Sequence, residues 1–280
     1  MSSHFAYLGE EALAGLVISG VATLVFLVRY LYQLYVDSDK CTKHMKLCRA
    51  SKKLLSCAFI GSLAIFISYL AMCFEQGFYL RSDSILVFWA RFVAYAIASH
   101  SLFQIVGHLT WADKSGVDTA SKLAALFWVV AGVFGTLSPA NHNWGYFGAA
   151  FAPLIGGLSV LYLTSHREDK VAKGKLLWVS LGLAAFAVVW VISPAGADEI
   201  DLEQAQLGYL ILEPLVFFLC YWMGIFYYIP MHKAKMVVKG KGRLRVPMRH
   251  ASQCHECNPH YCTSSGESSC SDSDSDHHWF

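Results

Sequence analysis

Leu207 to Ile229 is an apolar run interrupted by a single acid, Glu213. A helix of about 20 residues at 1.5 Å rise crosses the hydrocarbon of a bilayer, so this run is long enough to span it. A carboxylate at that depth costs roughly 2.5 to 3.5 kcal/mol on insertion scales. Glu213 is therefore expected to face protein and to have a partner there.

The rest of the chain repeats the pattern. Apolar residues make up 55% and charged residues 15%, well below the roughly 25% charged of soluble domains, and the charges fall in clumps between neutral runs. The N-terminal stretch MSSHFAYLGEEALAG has no basic n-region and no small-residue cleavage site, so the first apolar run is expected to stay as a span and not leave as a signal peptide. The nine cysteines are scattered over spans and tail, which does not describe a disulfide framework.

Apolar runs predict helices near residues 10–34, 54–74, 85–109, 120–138, 145–163, 176–194 and 207–229. The expected fold class is an all-α membrane protein, a seven-transmembrane helix bundle. It divides into an N-terminal segment 1–9, the bundle 10–230 and a tail 231–280. Basic residues mark alternate connections: Lys40, Lys43, Lys46, Arg49, Lys52 and Lys53 in the first, Lys114 and Lys122 in the third, Arg167, Lys170, Lys173 and Lys175 in the fifth, and seven more from Lys233 to Arg249 in the tail. The opposite side has Arg81. Positive charge stays inside, so the N-terminus is expected outside and the C-terminus in the cytoplasm. The fourth and fifth spans are rich in small residues, as in AGVFGTLSPANHNWGYFGAAFAPLIGGL, which suits close helix packing in lipid.

Three spans hold polar groups that need an account. In the third, Arg91 lies near the outer end, His100 near the middle, Gln104 one turn below it and His108 near the cytoplasmic exit; spacings of four put the last three on one stripe. The second span offers Tyr69 and the seventh Glu213. Neither Arg91 nor Glu213 can stay unpaired at such depth, so they are expected to form an ion pair to which Tyr69 donates. The plainest reading of that pair is a staple between helices.

These residues also carry a resemblance. Trp190 in AVVWVISPAGAD, the connection from there to Glu213, Trp89-Ala90-Arg91, SYLAM from Ser68 to Met72 and ATLVFLV from Ala22 to Val28 make residues 10–230 similar to the microbial (type I) rhodopsins, the bacteriorhodopsin-like family. In that family a lysine four residues after the seventh-helix carboxylate holds retinal as a Schiff base. The matching position here is Phe217, and the seventh span contains no lysine. The counterion position, three residues after the third-helix arginine, is Ala94, and the proton-donor position is Ile105. Of the aromatic clamp, Tyr95 and Trp190 stand at matching places, Phe186 replaces a tyrosine and Leu183 a tryptophan. The resemblance therefore implies the bundle with a residual pocket of Tyr95, Phe186 and Trp190, a polar core of Arg91, Glu213, Tyr69, His100, Gln104 and His108, and no covalent retinal.

The expected function is that of a rhodopsin-like membrane protein acting independently of light, as a scaffold, stress-related or sensory protein. The competing reading is an ion or proton transporter, or a photoreceptor, of the microbial rhodopsin type. An enzyme is not expected, because a hydrolytic metal centre needs three convergent ligands. In the tail, Cys254, Cys257, His260 and Cys262 offer thiolate and imidazole at a spacing open to Zn²⁺ or to a reduced, flexible segment; Cys270, His277 and His278 could add ligands. The run Lys233 to Arg249 suits anionic lipid headgroups at about 1 kcal/mol per basic residue. Cys41 and Cys48 are candidates for acylation, and Ser271, Ser273 and Ser275 among aspartates suit phosphorylation. The expected partners are the bilayer and further copies of the chain, with no nucleic acid.

Overall fold

The computed structural model describes residues 2–40, 45–80, 86–110, 112, 114–138, 140–165, 170–194 and 199–223. Seven helices long and apolar enough to span a membrane account for most of them: Glu10–Tyr35, Ser51–Cys73, Trp89–Leu109, Lys114–Gly135, Trp144–Thr164, Gly174–Ile192 and Leu202–Trp222. The chain is an integral, multi-pass membrane protein with a seven-helix fold. The readings made on Cys41, on the side chain of Cys48 and on residues 231–280, including Cys254, Cys257, His260 and Cys262, fall outside the described residues.

By element, α1 is Ser2–Lys40, α2 Met45–Cys73, α3 Trp89–Leu109, α4 Lys114–Phe127, α5 Ala140–Thr164 and α6 Lys170–Ile192; the last span is α7 Leu202–Glu213, a π-helical turn Pro214–Phe218 and α8 Leu219–Trp222. Each helix shows water-hating residues on its outside. On α1, Leu13, Val17, Val21, Leu24, Val28 and Leu31 are exposed at spacings of three and four, one stripe of a 3.6-residue helix, while Ala12, Ser19, Thr23 and Phe26 are buried. Lipid is as apolar as leucine, so side-chain fit and interhelical hydrogen bonds, rather than burial from water, select which face turns inward.

Several predicted boundaries need correction: the helices of the first, second, fifth and sixth spans begin earlier than expected, at Ser2, Met45, Ala140 and Lys170, so Lys46, Arg49, Lys52, Lys53, Lys173 and Lys175 stand within helices. The third helix starts at Trp89 and not at 85, because Leu86–Val87 form β2 of a short antiparallel hairpin with β1, Tyr79–Leu80, in the register Tyr79↔Val87 and Leu80↔Leu86. Gly77 adopts φ +73° just before it, and a Cβ there would collide with Ala90; its carbonyl accepts from Ala90 N–H at 3.1 Å, tying the hairpin to the first turn of α3. The fourth helix starts at Lys114, so Lys122 stands two turns inside it, exposed, and not in a connection. The seventh starts at Leu202, where Asp201 N–H bonds the Gln204 side chain at 3.3 Å across the first turn. Arg29, inside the first span, was passed over as a polar residue; its guanidinium sits 5.4 Å over the Tyr32 ring, a snorkelling cation on an aromatic face.

Two spans contain π-helical turns. In the seventh, Pro214 lacks the N–H that would close the preceding turn, and the ladder resumes one residue wider, with Leu219 N–H donating to Pro214 O. In the fourth, Trp128–Gly135 is π-helical, and Gly132 presents bare backbone to the Phe92 ring, where a Cβ would overlap that side chain. The predicted small-residue packing of the fourth and fifth spans holds in part. Gly157 lies against Ala120 and Leu123, whereas Gly145 and Gly148 have nothing within 4 Å of a Cβ.

Close approach also sets the contact of α2 with the last span. A Cβ at Gly61 would strike the Tyr221 hydroxyl, which donates to Ala98 O of α3 at 2.8 Å. Gly61→Leu should therefore push Tyr221 off its acceptor and lower stability by about 1–3 kcal/mol, read as a lower thermal midpoint in detergent; an unchanged midpoint would show that this crossing is not needed for packing.

Candidate functional site

The end of the bundle that carries the hairpin holds a buried ion pair. Arg91 enters from the first turn of α3 and Glu213 from the last turn of α7; both are 2% exposed, and Arg91 Nε lies 3.7 Å from Glu213 Oε1. The expected pairing of these two residues is present. Removing two charges from water costs several kcal/mol each unless further hydrogen bonds complete the shell, and the shell here comes from three elements. Gln206, two turns before Glu213 on the same face of α7, accepts a hydrogen bond from Arg91 Nη1. Tyr95, one turn after Arg91 on α3, donates to Glu213 Oε1 at 2.5 Å. The rings of Tyr69 and Tyr209 face the guanidinium at 5.1 and 5.3 Å.

Tyr69 stands beside the pair as expected, close enough for its hydroxyl to interact with Glu213, but the hydrogen bond of good geometry to the carboxylate comes from Tyr95. The reason is direction: Tyr95 shares the face of α3 that carries Arg91, whereas Tyr69 comes from α2 and meets the cation with its ring, as guanidinium groups favour. Gln206 and Tyr209 were missed by the sequence reading. Their spacing of seven and four from Glu213 placed them on the inward stripe of the seventh span, a signal available but unused. An open cleft borders Arg91, with Gln206 and Tyr209 also in its lining and Phe88, Thr136 and Ser193 around them.

One turn deeper lies a group of rings. Phe217 is fully buried; its ring stacks on Tyr95 with centroids 5.8 Å apart and lies 5.6 Å from Phe186. Tyr95 is 5.1 Å from Phe186 and 4.9 Å from Trp128, and Trp128 is 5.5 Å from Phe186. Trp128 Nε1–H donates to Ser99 Oγ at 2.5 Å. Four rings from the third, fourth, sixth and seventh spans thus close on one another. Trp190 stacks face to face on Phe147 of α5, centroids 4.1 Å apart and planes 5° from parallel. Tyr95, Phe186 and Trp190 are brought to the same region, but Tyr95 and Phe186 pack against Phe217 and Trp128 and are not in the lining of the cleft beside Arg91. Ala94 is buried beside them at 3% exposure, and Leu183 is buried too.

The opposite half has its own polar contact. Gln104 Nε2 donates to Asp118 Oδ1 at 2.8 Å and to Ser121 Oγ at 2.9 Å, both on α4. Asp118 and Ser121 were not anticipated, because a partner on another helix leaves no mark on the stripe of α3. His100 and His108 are half-buried on the same stripe as Gln104, one turn to either side. No group of three or more His, Cys, Asp or Glu able to hold a metal ion occurs among the described residues.

No family model matches the sequence, and no curated protein matches it. Solved structures do match in fold. The thermophilic rhodopsin from Rubrobacter xylanophilus aligns over 83% of this chain and 100% of its own at 16% identity and a TM-score of 0.62. The light-driven proton pump rhodopsin of Coccomyxa subellipsoidea aligns over 76% and 96% at 18% identity and 0.61. The bromide-bound halorhodopsin of Halobacterium salinarum aligns over 81% and 96% at 12% identity and 0.66. At these identities the likeness is one of fold: seven helices arranged as in the microbial rhodopsins.

The two tyrosines beside Glu213 make unequal forecasts. Tyr95→Phe leaves a buried carboxylate short of its well-placed donor and should cost about 1–3 kcal/mol, while Tyr69→Phe removes a hydroxyl of poorer geometry and should cost about 1 kcal/mol or less. Arg91→Gln, which strands Glu213, should cost about 3–5 kcal/mol. Thermal unfolding of the three variants in one detergent gives the order; Tyr69→Phe as damaging as Tyr95→Phe would reverse the assignment of the donor.

Proposed function

We propose that this chain is a membrane protein of microbial rhodopsin fold that works without covalently bound retinal, in light and darkness alike, as a scaffold, stress-related or sensory protein. The observation that carries the reading is Phe217. It stands four residues after the buried carboxylate, where the resemblance calls for an amine, and its ring is held between Tyr95 and Phe186. A phenyl ring cannot condense with an aldehyde. The residues present do not suit the chromophore in two further respects: Ala94 supplies no counterion, and the Tyr95, Trp128, Phe186 and Phe217 rings form one packed cluster where a polyene would need room.

What remains is an internally neutralised Arg91–Glu213 pair that fastens α3 to α7 near one end of the bundle. That suits a protein whose signal or contacts lie outside the bundle's middle. On the charge pattern, we place the N-terminus outside and the basic, Cys/His-containing tail in the cytoplasm, against anionic lipid. We assign no enzymatic role.

Ion or proton transport is a second reading, and one contact favours it. The Gln104 bonds to Asp118 and Ser121 lie between the positions of His100 and His108, giving the half opposite the hairpin more polar groups than α3 alone supplies, and intramembrane ionisable groups often line pathways. Pumps also occur among the solved structures of similar fold.

Purified protein mixed with all-trans retinal separates these readings. The expected result is no visible band bleached by hydroxylamine and no retinyl adduct after borohydride trapping; a bleachable band would end the light-independent reading. Voltage-clamped membranes carrying the protein should pass no current in light or dark, whereas currents lost on Glu213→Gln would establish transport.

A further inference from the structure

α3 is buried around most of its circumference, and its accessible residues form one stripe: Trp89, Val93 and Ile97 are exposed, and Ala90, His100 and His108 are half-buried. Their spacings keep all six on one face of a 3.6-residue helix. At the end opposite the hairpin, a cation reaches this stripe from each neighbouring helix. Lys53 of α2 and Lys122 of α4 are exposed, and the charge of each bears on His100; that of Lys53 also bears on His108. The stripe is thus the floor of a groove between α2 and α4, with one ammonium on either wall. Both lysines stand within membrane-spanning segments, Ser51–Cys73 and Lys114–Gly135, where an exposed side chain faces lipid. Among the described residues neither has an ion-pair or hydrogen-bond partner. The carboxylate of Asp118, which could serve them, is half-buried and already accepts from Gln104 at 2.8 Å. Unpaired charge in a span is costly, so a counter-charge must come from outside the protein.

We propose that the groove of α3 between α2 and α4 binds one anionic phospholipid of the leaflet opposite the hairpin, its phosphate held by Lys53 and Lys122 and an acyl chain lying along Ile97 and Val93. What fills a lipid-facing groove is lipid, and the two ammonium groups select which kind. A long lysine stem lets its charge snorkel toward the headgroups, so both walls direct their cations to the same headgroup layer. Basic pockets between spans are suited to phosphate-bearing headgroups for this reason, and Val93 and Ile97 continue the groove with apolar surface for a chain. The hairpin end offers the reverse: Glu10, Glu75, Glu199, Asp201 and Glu203 are exposed there and would repel the same headgroup. The site is separate from the run Lys233 to Arg249, which needs only a negatively charged surface, whereas the groove needs a headgroup with its chain attached. The inference goes beyond the proposed function and does not depend on whether the chain binds retinal.

The test uses the full chain, ¹⁵N-labelled at histidine, in nanodiscs of phosphatidylcholine to which phosphatidylglycerol is added in steps at fixed pH. His100 lies beside both lysines and serves as the reporter, its ring signal assigned by its loss in His100→Gln. The signal should shift as phosphatidylglycerol is added. The midpoint of that shift should rise about fivefold in Lys53→Gln or Lys122→Gln and about thirtyfold in the double variant, from the usual worth of a basic residue near anionic lipid. The paired Lys53→Arg and Lys122→Arg variant should keep the original midpoint. All of these variants retain the basic tail, so its own attraction to the membrane cancels, and the shift in the unaltered chain tests the site even if the double variant fails to fold. A His100 signal indifferent to phosphatidylglycerol, or an equal midpoint in the double variant, would overturn the proposal. So would the same shift produced by inorganic phosphate in pure phosphatidylcholine discs, which would show an anion site and not a lipid site.

Discussion

One buried ion pair sets the terms for this bundle. Arg91 and Glu213 come from helices distant in sequence, and neither is tolerable in the interior alone. Their meeting fixes the depth and rotation of α3 against α7. The neighbours then follow from what each charge lacks: an amide oxygen from Gln206 for the guanidinium, a phenol from Tyr95 for the carboxylate, and two aromatic faces for the cation. Every one of these groups is already aligned on the inward stripe of its helix. The pair consequently behaves as a self-contained unit, with its positive and negative members satisfied largely by each other and by neutral dipoles.

Immediately below it the chemistry changes from charge to shape. Phe217 and Tyr95 lie one turn from Glu213 and Arg91 respectively, so the polar pair and the ring cluster share two helices, and Tyr95 belongs to both: its hydroxyl serves the carboxylate while its ring stacks on Phe217. The π-helical turn at Pro214–Phe218 lies between the two layers. Widening the helix there changes the angular relation of Glu213 to Phe217 from that of a regular turn, a frequent feature of helices at sites under local constraint. A bundle otherwise arranged like those of the microbial rhodopsins is thus packed in its middle by rings that support one another, and the role proposed for it follows from that packing.

In lipid, helices gain little from hiding apolar surface, and the contacts that hold this fold are accordingly of two kinds. Some are hydrogen bonds across helices, such as Tyr221 to Ala98 and Gln104 to Asp118. Others are places where a glycine lets backbones or rings come within reach, as Gly61 does for Tyr221, Gly132 for Phe92 and Gly107 for Val117. At Gly61 and Gly107 the two kinds coincide, so the small residue is what brings a polar contact together. Such pairs of cause and effect recur at both ends of the bundle.

Much of this was legible in the residues alone. Seven spans, the pairing of Arg91 with Glu213 and the aromatic at position 217 follow from hydropathy, from the cost of lone charges in hydrocarbon and from the resemblance carried by a few short motifs. Helix ends were less legible, since the hairpin at Leu86–Val87 and the early start of α4 at Lys114 depend on contacts with other segments and not on local apolar content. The partners were least legible. Periodicity says which residues share a face of one helix, but which hydroxyl best reaches Glu213, that Asp118 would meet Gln104, and that Phe217 would join a cluster of four rings are decided by how helices rotate and approach one another, a property that exists only once the bundle has packed.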